Sequence, residues 1–353
     1  MTSMIVAEEL RKRYRGGQGT IALDGFRLDV PGGIVHGLLG PNGAGKTTAV
    51  RVLSTLLGFD SGRAEVAGAD VVRQPGLVRE RIALTGQYAA VDELLSGRQN
   101  LVLFGRLHHL RPRDARRRAD ELLERFGLTD AAGRSAKDYS GGMRRRLDLA
   151  ASLIRRPQVL FLDEPTTGLD PRSRNQVWDA VRGLVTEGTT VLLTTQYLEE
   201  ADQLAGRISV VDAGRIVAEG TPDELKSALG ADRLEVVIRE SDRLGDAAAV
   251  VARIAGGRPD TDLDRRAVRV PLMGDRVETL TVTLQALREA GITVANVGIH
   301  QPTLDEAFLH LTGRRAAMPA DPAPPPAAPP PSSPAASSSA APARASASSE
   351  VTA

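Results

Sequence analysis

GPNGAGKTT, running from Gly40 to Thr48, is the stretch on which the reading of this chain turns. It fits the pattern G-x-x-x-x-G-K-[ST]: Gly40 opens it, Pro41, Asn42, Gly43 and Ala44 fill it, and Gly45, Lys46 and Thr47 close it. An apolar run, Ile34 to Leu39, comes before, and a helix-like run, Ala49 to Leu53, comes after. Strand, glycine-rich loop and helix in that order are what a phosphate-binding loop requires. The glycines let the backbone curl with its N–H groups pointing inward, and the helix N-terminus behind adds positive potential. Lys46 can then reach the β- and γ-phosphates, and the Thr47 hydroxyl can serve Mg²⁺. A glycine-rich turn that merely contains a lysine is the plain alternative, and the strand–loop–helix context argues against it. The expected fold class is therefore α/β, built on a P-loop NTPase core.

The rest of the composition narrows the setting. A chain of 353 residues has room for about two domains plus extensions. Its 42% hydrophobic content supports a sizeable core, and its net charge of +1 gives no reason to expect a nucleic-acid partner. Two short basic clusters, Arg116 to Arg118 and Arg144 to Arg146, fall on helix-like segments and read as solvated faces. The absence of cysteine excludes disulfides, zinc–thiolate sites and thiol chemistry. No apolar run approaches the roughly 18–20 residues needed to cross a bilayer. The first residues lack a signal-peptide shape. A soluble, intracellular protein is expected, and any action on a membrane must pass through a partner that spans it.

Along the chain, continuous apolar runs at Ile34–Leu39, Ile82–Thr85, Val159–Leu162 and Val191–Thr194 read as parallel strands buried on both faces. Strand patterns vanish between Val91 and Ile154. There Leu94, Leu101, Leu103, Leu107, Leu122, Leu123 and Phe126 recur among charges at helical spacing. Ile208–Val211 and Arg215–Val217 flank a glycine-containing turn and read as a hairpin. The expected division is residues 1–228, with a helical part over about 91–155, then a small α+β domain over 229–313, then a tail over 314–353. In the small domain, strands are expected at Leu234–Ile238, Ala267–Val270 and Ile292–Ile299, with helices at Ala247–Ile254 and Leu280–Ala290. Thr303 to Glu306 forms a capping box for a last short helix. The tail is Ala-, Pro- and Ser-rich with almost nothing to bury, and is expected to be disordered.

Two further segments carry chemistry. Val159 to Leu162 is an apolar strand ending in Asp163 and Glu164, at the carboxyl edge where open α/β sheets bind ligands. Asp163 suits Mg²⁺, through water, and Glu164 suits polarising the attacking water; an ordinary acidic strand end is the structural alternative. Ser140-Gly141-Gly142-Met143 stands directly before a helical run, so its open N–H groups face whatever anion approaches.

Taken together, residues from about Ile5 to Lys226 resemble the nucleotide-binding subunit of ATP-binding cassette (ABC) transporters. Ser140 to Arg144 stands where that family has its LSGGQ signature, with Tyr139 in place of the leading Leu and Met143 in place of Gln. Gln87 stands at the Q-loop, Thr167-Gly168-Leu169-Asp170 at the D-loop, and Tyr14 at the aromatic position that stacks on adenine. Thr85 to Ala89 and Pro302 to Gly313 look like the subgroup of daunorubicin-resistance-type ATP-binding subunits. The family usually carries His in its switch loop, and here Gln196 follows Thr194-Thr195. A glutamine can donate to the γ-phosphate but cannot become a cation, so its contribution is weaker. A polar residue opening the Tyr197–Leu204 helix is the alternative reading.

The resemblance implies a head-to-tail homodimer with two ATP molecules and Mg²⁺ at its interface. In each site one subunit supplies Tyr14, the Gly40–Thr48 loop, Gln87, Asp163, Glu164 and Gln196. The other supplies Ser140, Gly141 and Gly142; Asp170 of the D-loop is a further expected nucleotide-binding residue. Glu164, Lys46, Gln196 and Gln87 are the expected catalytic group, and Thr47, Gln87 and Asp163 the expected metal group. It further implies an ATPase driving efflux of a drug or secondary metabolite through an integral membrane permease. The protein would sit peripherally on the cytoplasmic face of the membrane, its association indirect. A lipid, polysaccharide or other cargo, and a soluble non-transport ABC ATPase, are the alternatives.

Overall fold

The computed structural model describes residues 2–14, 19–86, 90–227, 232–272, 274–300 and 303–311. Gln87 and the tail beyond residue 311 therefore lie outside the described residues. Strands β1 (Ser3–Arg13) and β2 (Ile21–Pro31) pair antiparallel; β3 (Val35–Leu39) leads through the Gly40–Gly45 loop into helix α1 (Lys46–Leu53). Next come β4 (Ser61–Val66), β5 (Ala69–Asp70), α2 (Pro75–Arg81) and β6 (Ile82–Thr85). Helices α3 (Gly97–Leu107), α4 (Pro112–Arg125) and α5 (Gly141–Ser152) fill the region where strand patterns vanish. Then β7 (Val159–Asp163), α6 (Pro171–Thr186), β8 (Thr190–Thr195), α7 (Leu198–Leu204), β9 (Arg207–Asp212), β10 (Arg215–Gly220) and α8 (Pro222–Ser227) complete the first half.

Two sheets result. An antiparallel one has the order β2-β1-β4-β5, and a six-stranded one has the order β10-β9-β3-β8-β7-β6. In the larger sheet β6, β7, β8, β3 and β9 are parallel, and β10 turns back antiparallel on β9. The uninterrupted apolar runs follow from this burial. Along β7, Val159 and Phe161 enter the core shared with the antiparallel sheet and α1, while Leu160 and Leu162 enter the core under the helical region. Successive side chains of a strand point to opposite faces, so a strand covered on both sides must be apolar throughout.

The second half holds β11 (Arg233–Ile238), α9 (Leu244–Ala255), β12 (Asp260–Asp262), β13 (Ala267–Pro271), α10 (Arg276–Glu289), β14 (Val294–His300) and α11 (Leu304–Leu311). Its sheet is antiparallel in the order β12-β13-β11-β14, a split β-α-β arrangement with its own core of Leu234, Val236, Val251, Val270 and Leu287. The three-residue β12 has no apolar signal in the sequence. Thr303 and Glu306 form the reciprocal capping box that opens α11. Leu304 packs with Ala201 of α7 and Leu225 of α8.

Two readings from sequence need correction. The Arg144–Arg146 cluster is not a solvated face: Arg145 is buried, Arg146 Nη1 donates to the Phe126 carbonyl at 2.7 Å, and Arg144 pairs with Glu93 at 3.0 Å. Charge alone cannot report that the carbonyls of Gly86, Phe126 and Pro165 receive the Arg145 and Arg146 guanidinium groups. Leu94, read with the helical run, is not in a helix: it precedes α3 in a turn and is 82% exposed.

Candidate nucleotide site

Strands β3, β8, β7 and β6 are consecutive neighbours, with Leu39 beside Thr195, Asp163 beside Thr194, and Thr85 beside Leu162. Their carboxyl ends therefore bring the Gly40 loop, Gln196, the Asp163–Glu164 pair and Gly86 to one edge. A cleft of about 360 Å³ opens there, lined by Tyr14, Thr20, Asn42, Lys46, Thr48 and Glu164 among others.

The loop is held by close packing. Gly45 has φ near +109°, and a Cβ there would collide with the Ala22 carbonyl, so only glycine fits. Lys46 is 4% exposed, and its Nζ donates to the carbonyls of Gly40 at 2.7 Å and Pro41 at 3.1 Å. The Glu164 carboxylate lies 4.0 Å from it. Burial lowers the affinity of the Lys46 ammonium for its proton, opposed by Glu164 and Asp163. At the mouth, Tyr14 is 39% exposed and its hydroxyl meets that of Thr48 at 3.3 Å.

Asp163 is buried at the end of β7, accepting from Thr194 Oγ1 at 2.5 Å and from Thr47 Oγ1 at 3.3 Å. One carboxylate and one hydroxyl are hard oxygen donors that suit Mg²⁺. No group of three acidic or histidine side chains capable of holding a metal exists among the described residues. A cation here would thus complete its shell with phosphate oxygens and water, which fits the donor set of a P-loop. Glu164 follows with φ near +50°, a left-handed turn fixed by its N–H donating to the Thr194 carbonyl at 3.0 Å. That turn takes Glu164 off the strand and into the cleft beside Lys46. Gln196 is half-buried, just beyond β8, and is not among the cleft-lining residues.

Ser140, Gly141 and Gly142 do not line this cleft. They open α5, where Ser140 caps the helix by accepting from the Met143 N–H at 3.2 Å. A Cβ on Gly142 would collide with the Ser173 side chain on α6, so the glycine is required by close approach. Asp170 caps α6, its carboxylate accepting from Ser173 N at 3.0 Å and Ser173 Oγ at 2.6 Å, which hold its pKa below the ordinary range. Sequence reasoning missed Thr194, whose only signal was a second polar residue in an apolar strand. It also missed Arg145, which sits inside a run of three arginines.

The family model described as "ABC transporter" matches residues 23–167. A daunorubicin resistance ATP-binding protein of Streptomyces coeruleorubidus is 61% identical over 88% of this chain and 95% of its own length. The doxorubicin resistance ATP-binding protein of Mycobacterium tuberculosis is 49% identical over 87% and 93%. A Nod factor export ATP-binding protein of Ralstonia nicotianae is 37% identical over 89% and 95%. Among solved structures, the dimeric post-hydrolysis state of an ATP-binding cassette bound to ADP and Pi shares the fold, with TM-score 0.57 and 23% identity over 62% of this chain and 98% of that one. Phosphate loop, acidic strand end and capped glycine turn are thus those of a known lineage, and the chain belongs to the ATP-binding subunits of ABC transporters, in the daunorubicin/doxorubicin-resistance group.

Proposed function

We propose that this chain binds and hydrolyses ATP as the motor subunit of an exporter for daunorubicin-like drugs or related secondary metabolites. The observation that carries the reading is the gathering of Lys46, Thr47, Asp163 and Glu164 at the carboxyl edge of one parallel sheet, with Tyr14 at the mouth. Tyr14 stacks on the adenine, and the N–H groups of the loop with Lys46 bind the phosphates. Thr47 and Asp163, together with Gln87, would hold Mg²⁺, which would supply neutralisation of phosphate charge when bound. Glu164 orients and polarises the attacking water, and Gln196 donates to the γ-phosphate.

Ser140, Gly141 and Gly142 of a second copy close over the same nucleotide, and Asp170 fixes the neighbouring turn. Their absence from the lining of their own chain's cleft supports this two-copy reading. Closure does work only because ATP favours the closed pair over the open one. The partner that receives this work is a membrane-spanning permease, and the chain sits peripherally on the cytoplasmic face. No helix among the described residues is long and apolar enough to cross a membrane. A second cleft of about 310 Å³, lined by Leu56, Phe104 and His108 among others, is the proposed permease seat. The Nod factor relative favours, as a second reading, the same motor with another cargo.

The test is Glu164→Gln. It should bind ATP normally, lose about 10²–10⁴-fold in turnover, and run as a dimer in gel filtration with ATP and Mg²⁺. A monomer under those conditions sinks the two-copy site.

A further inference from the structure

Arg145 lies one turn inside α5 and is buried, yet its guanidinium reaches two segments distant in sequence. Its Nε donates to the Pro165 carbonyl at 2.7 Å, and its Nη1 donates to the Gly86 carbonyl at 2.6 Å. Asp148, one turn further along the same helix, is the counter-charge at 3.5 Å, and accepts from the Ala90 N–H at 2.7 Å. Together they hold Gly86 and Ala90, the residues on either side of the 87–89 segment, and Pro165, the residue after Glu164. Nη2 of Arg145 is buried without a partner among the described residues. Burial costs this pair hydration, raising the pKa of Asp148 and lowering that of Arg145. A packed apolar pair would hold the helix without that cost.

Resting on the two-copy reading above, we propose that Arg145 is a positioning residue that couples the two nucleotide sites. The Ser140–Gly142 turn of α5 engages the nucleotide held by the second copy. Arg145, rigid on that helix, carries the position of the turn to Pro165 and hence to Glu164, which acts on the nucleotide of its own chain. Asp148 orients the guanidinium and anchors Ala90. Turnover then requires α5 to be seated at one site for the carboxylate to be placed at the other. A planar fork with two donors aimed at two carbonyls does this; a point charge cannot.

The test compares Arg145→Lys and the double variant Arg145→Met with Asp148→Leu, in the full-length chain. Turnover, affinity for a fluorescent ATP analogue and melting temperature are measured. The lysine keeps the charge but cannot reach both carbonyls. The double variant replaces a buried ion pair with apolar groups of similar volume, a change that buried pairs commonly tolerate. Both should lose at least about tenfold in turnover, with analogue affinity within about threefold and the double variant melting near the wild type. Wild-type turnover in the double variant, or turnover loss in both variants that only tracks a fallen melting temperature, overturns the proposal. Glu164→Gln run alongside separates the two ideas. If it dimerises with ATP while the Arg145 variants turn over normally, only the coupling falls; if it stays monomeric, the two-copy reading falls first.

Discussion

The Thr194 hydroxyl donates to the Asp163 carboxylate at 2.5 Å, tying the end of β8 to the end of β7. The same hydroxyl oxygen accepts from the Glu164 N–H at 3.3 Å. One side chain thus orients the proposed metal carboxylate and the backbone that turns Glu164 into the cleft. We predict that Thr194→Val, which keeps the shape and removes both contacts, raises the Mg²⁺ concentration needed for half-maximal turnover by about 10–100-fold, as loss of an orienting partner does at metal sites. A Mg²⁺ titration of ATP hydrolysis that superimposes on the wild type counts against this role.

Lys46 is enclosed by its own loop, its ammonium shared between two carbonyls and near Glu164. Phosphate oxygens would add charge-assisted partners that nothing else in the cleft replaces. Lys46→Ala should therefore lose nucleotide binding and hydrolysis together, with turnover down about 10²–10³-fold, the scale of one lost charge-stabilising donor. Equilibrium binding of a fluorescent ATP analogue beside an ATPase assay checks it. Undiminished turnover would remove Lys46 from the site.

At the start of α5 the prediction concerns packing. Gly142→Ala places a methyl group against Ser173 of α6. We expect a loss of about 1–3 kcal/mol in unfolding free energy, the usual cost of overpacking. Adding Ser173→Gly should recover part of it by opening the space. Urea denaturation of the two single variants and the double variant measures the coupling. Strictly additive effects would show that the two positions do not clash.

His36 lies in the centre of the sheet on β3, its Nε2 hydrogen-bonded to Ser209 Oγ at 2.8 Å. Burial, aided by Arg207 and opposed by Asp29, pushes its pKa from 6.5 down to about 4. The folded state disfavours the proton, so the unfolded chain binds it first as pH falls. Stability contributed by the neutral ring is complete above about 6.5 and is lost as pH drops towards about 4. The total is on the order of 3 kcal/mol. His36→Gln should remove this slope. Chemical denaturation of both proteins at pH 7.5 and pH 5 tests it; equal losses for both would assign the acid sensitivity elsewhere.

The α/β class, the phosphate loop and the acidic strand end were legible because each is a contiguous run whose chemistry depends on its own spacing. Gly40 to Thr48 needs no distant residue to be recognised, and Val159 to Glu164 announces a strand buried on both faces that ends in carboxylates. The hairpin around Ala213-Gly214 and the capping box at Thr303 to Glu306 are local in the same sense. Leu94 misled because its helical spacing to Leu101 does not report where the helix begins, and the chain there is still a turn.

Contacts that join remote segments were decided only by the folded chain. The sequence supplies Arg145 as the middle of three arginines; the fold buries it between carbonyls 20 and 59 residues away. Gly142 reads as a capping glycine, and only the approach of Ser173 on another helix shows why no side chain is tolerated. Sequence fixes which groups can bind phosphate, because that chemistry resides in short stretches of backbone and their immediate side chains. Strand order and helix packing fix which of them meet, because burial and steric fit are settled among segments that the chain itself keeps far apart.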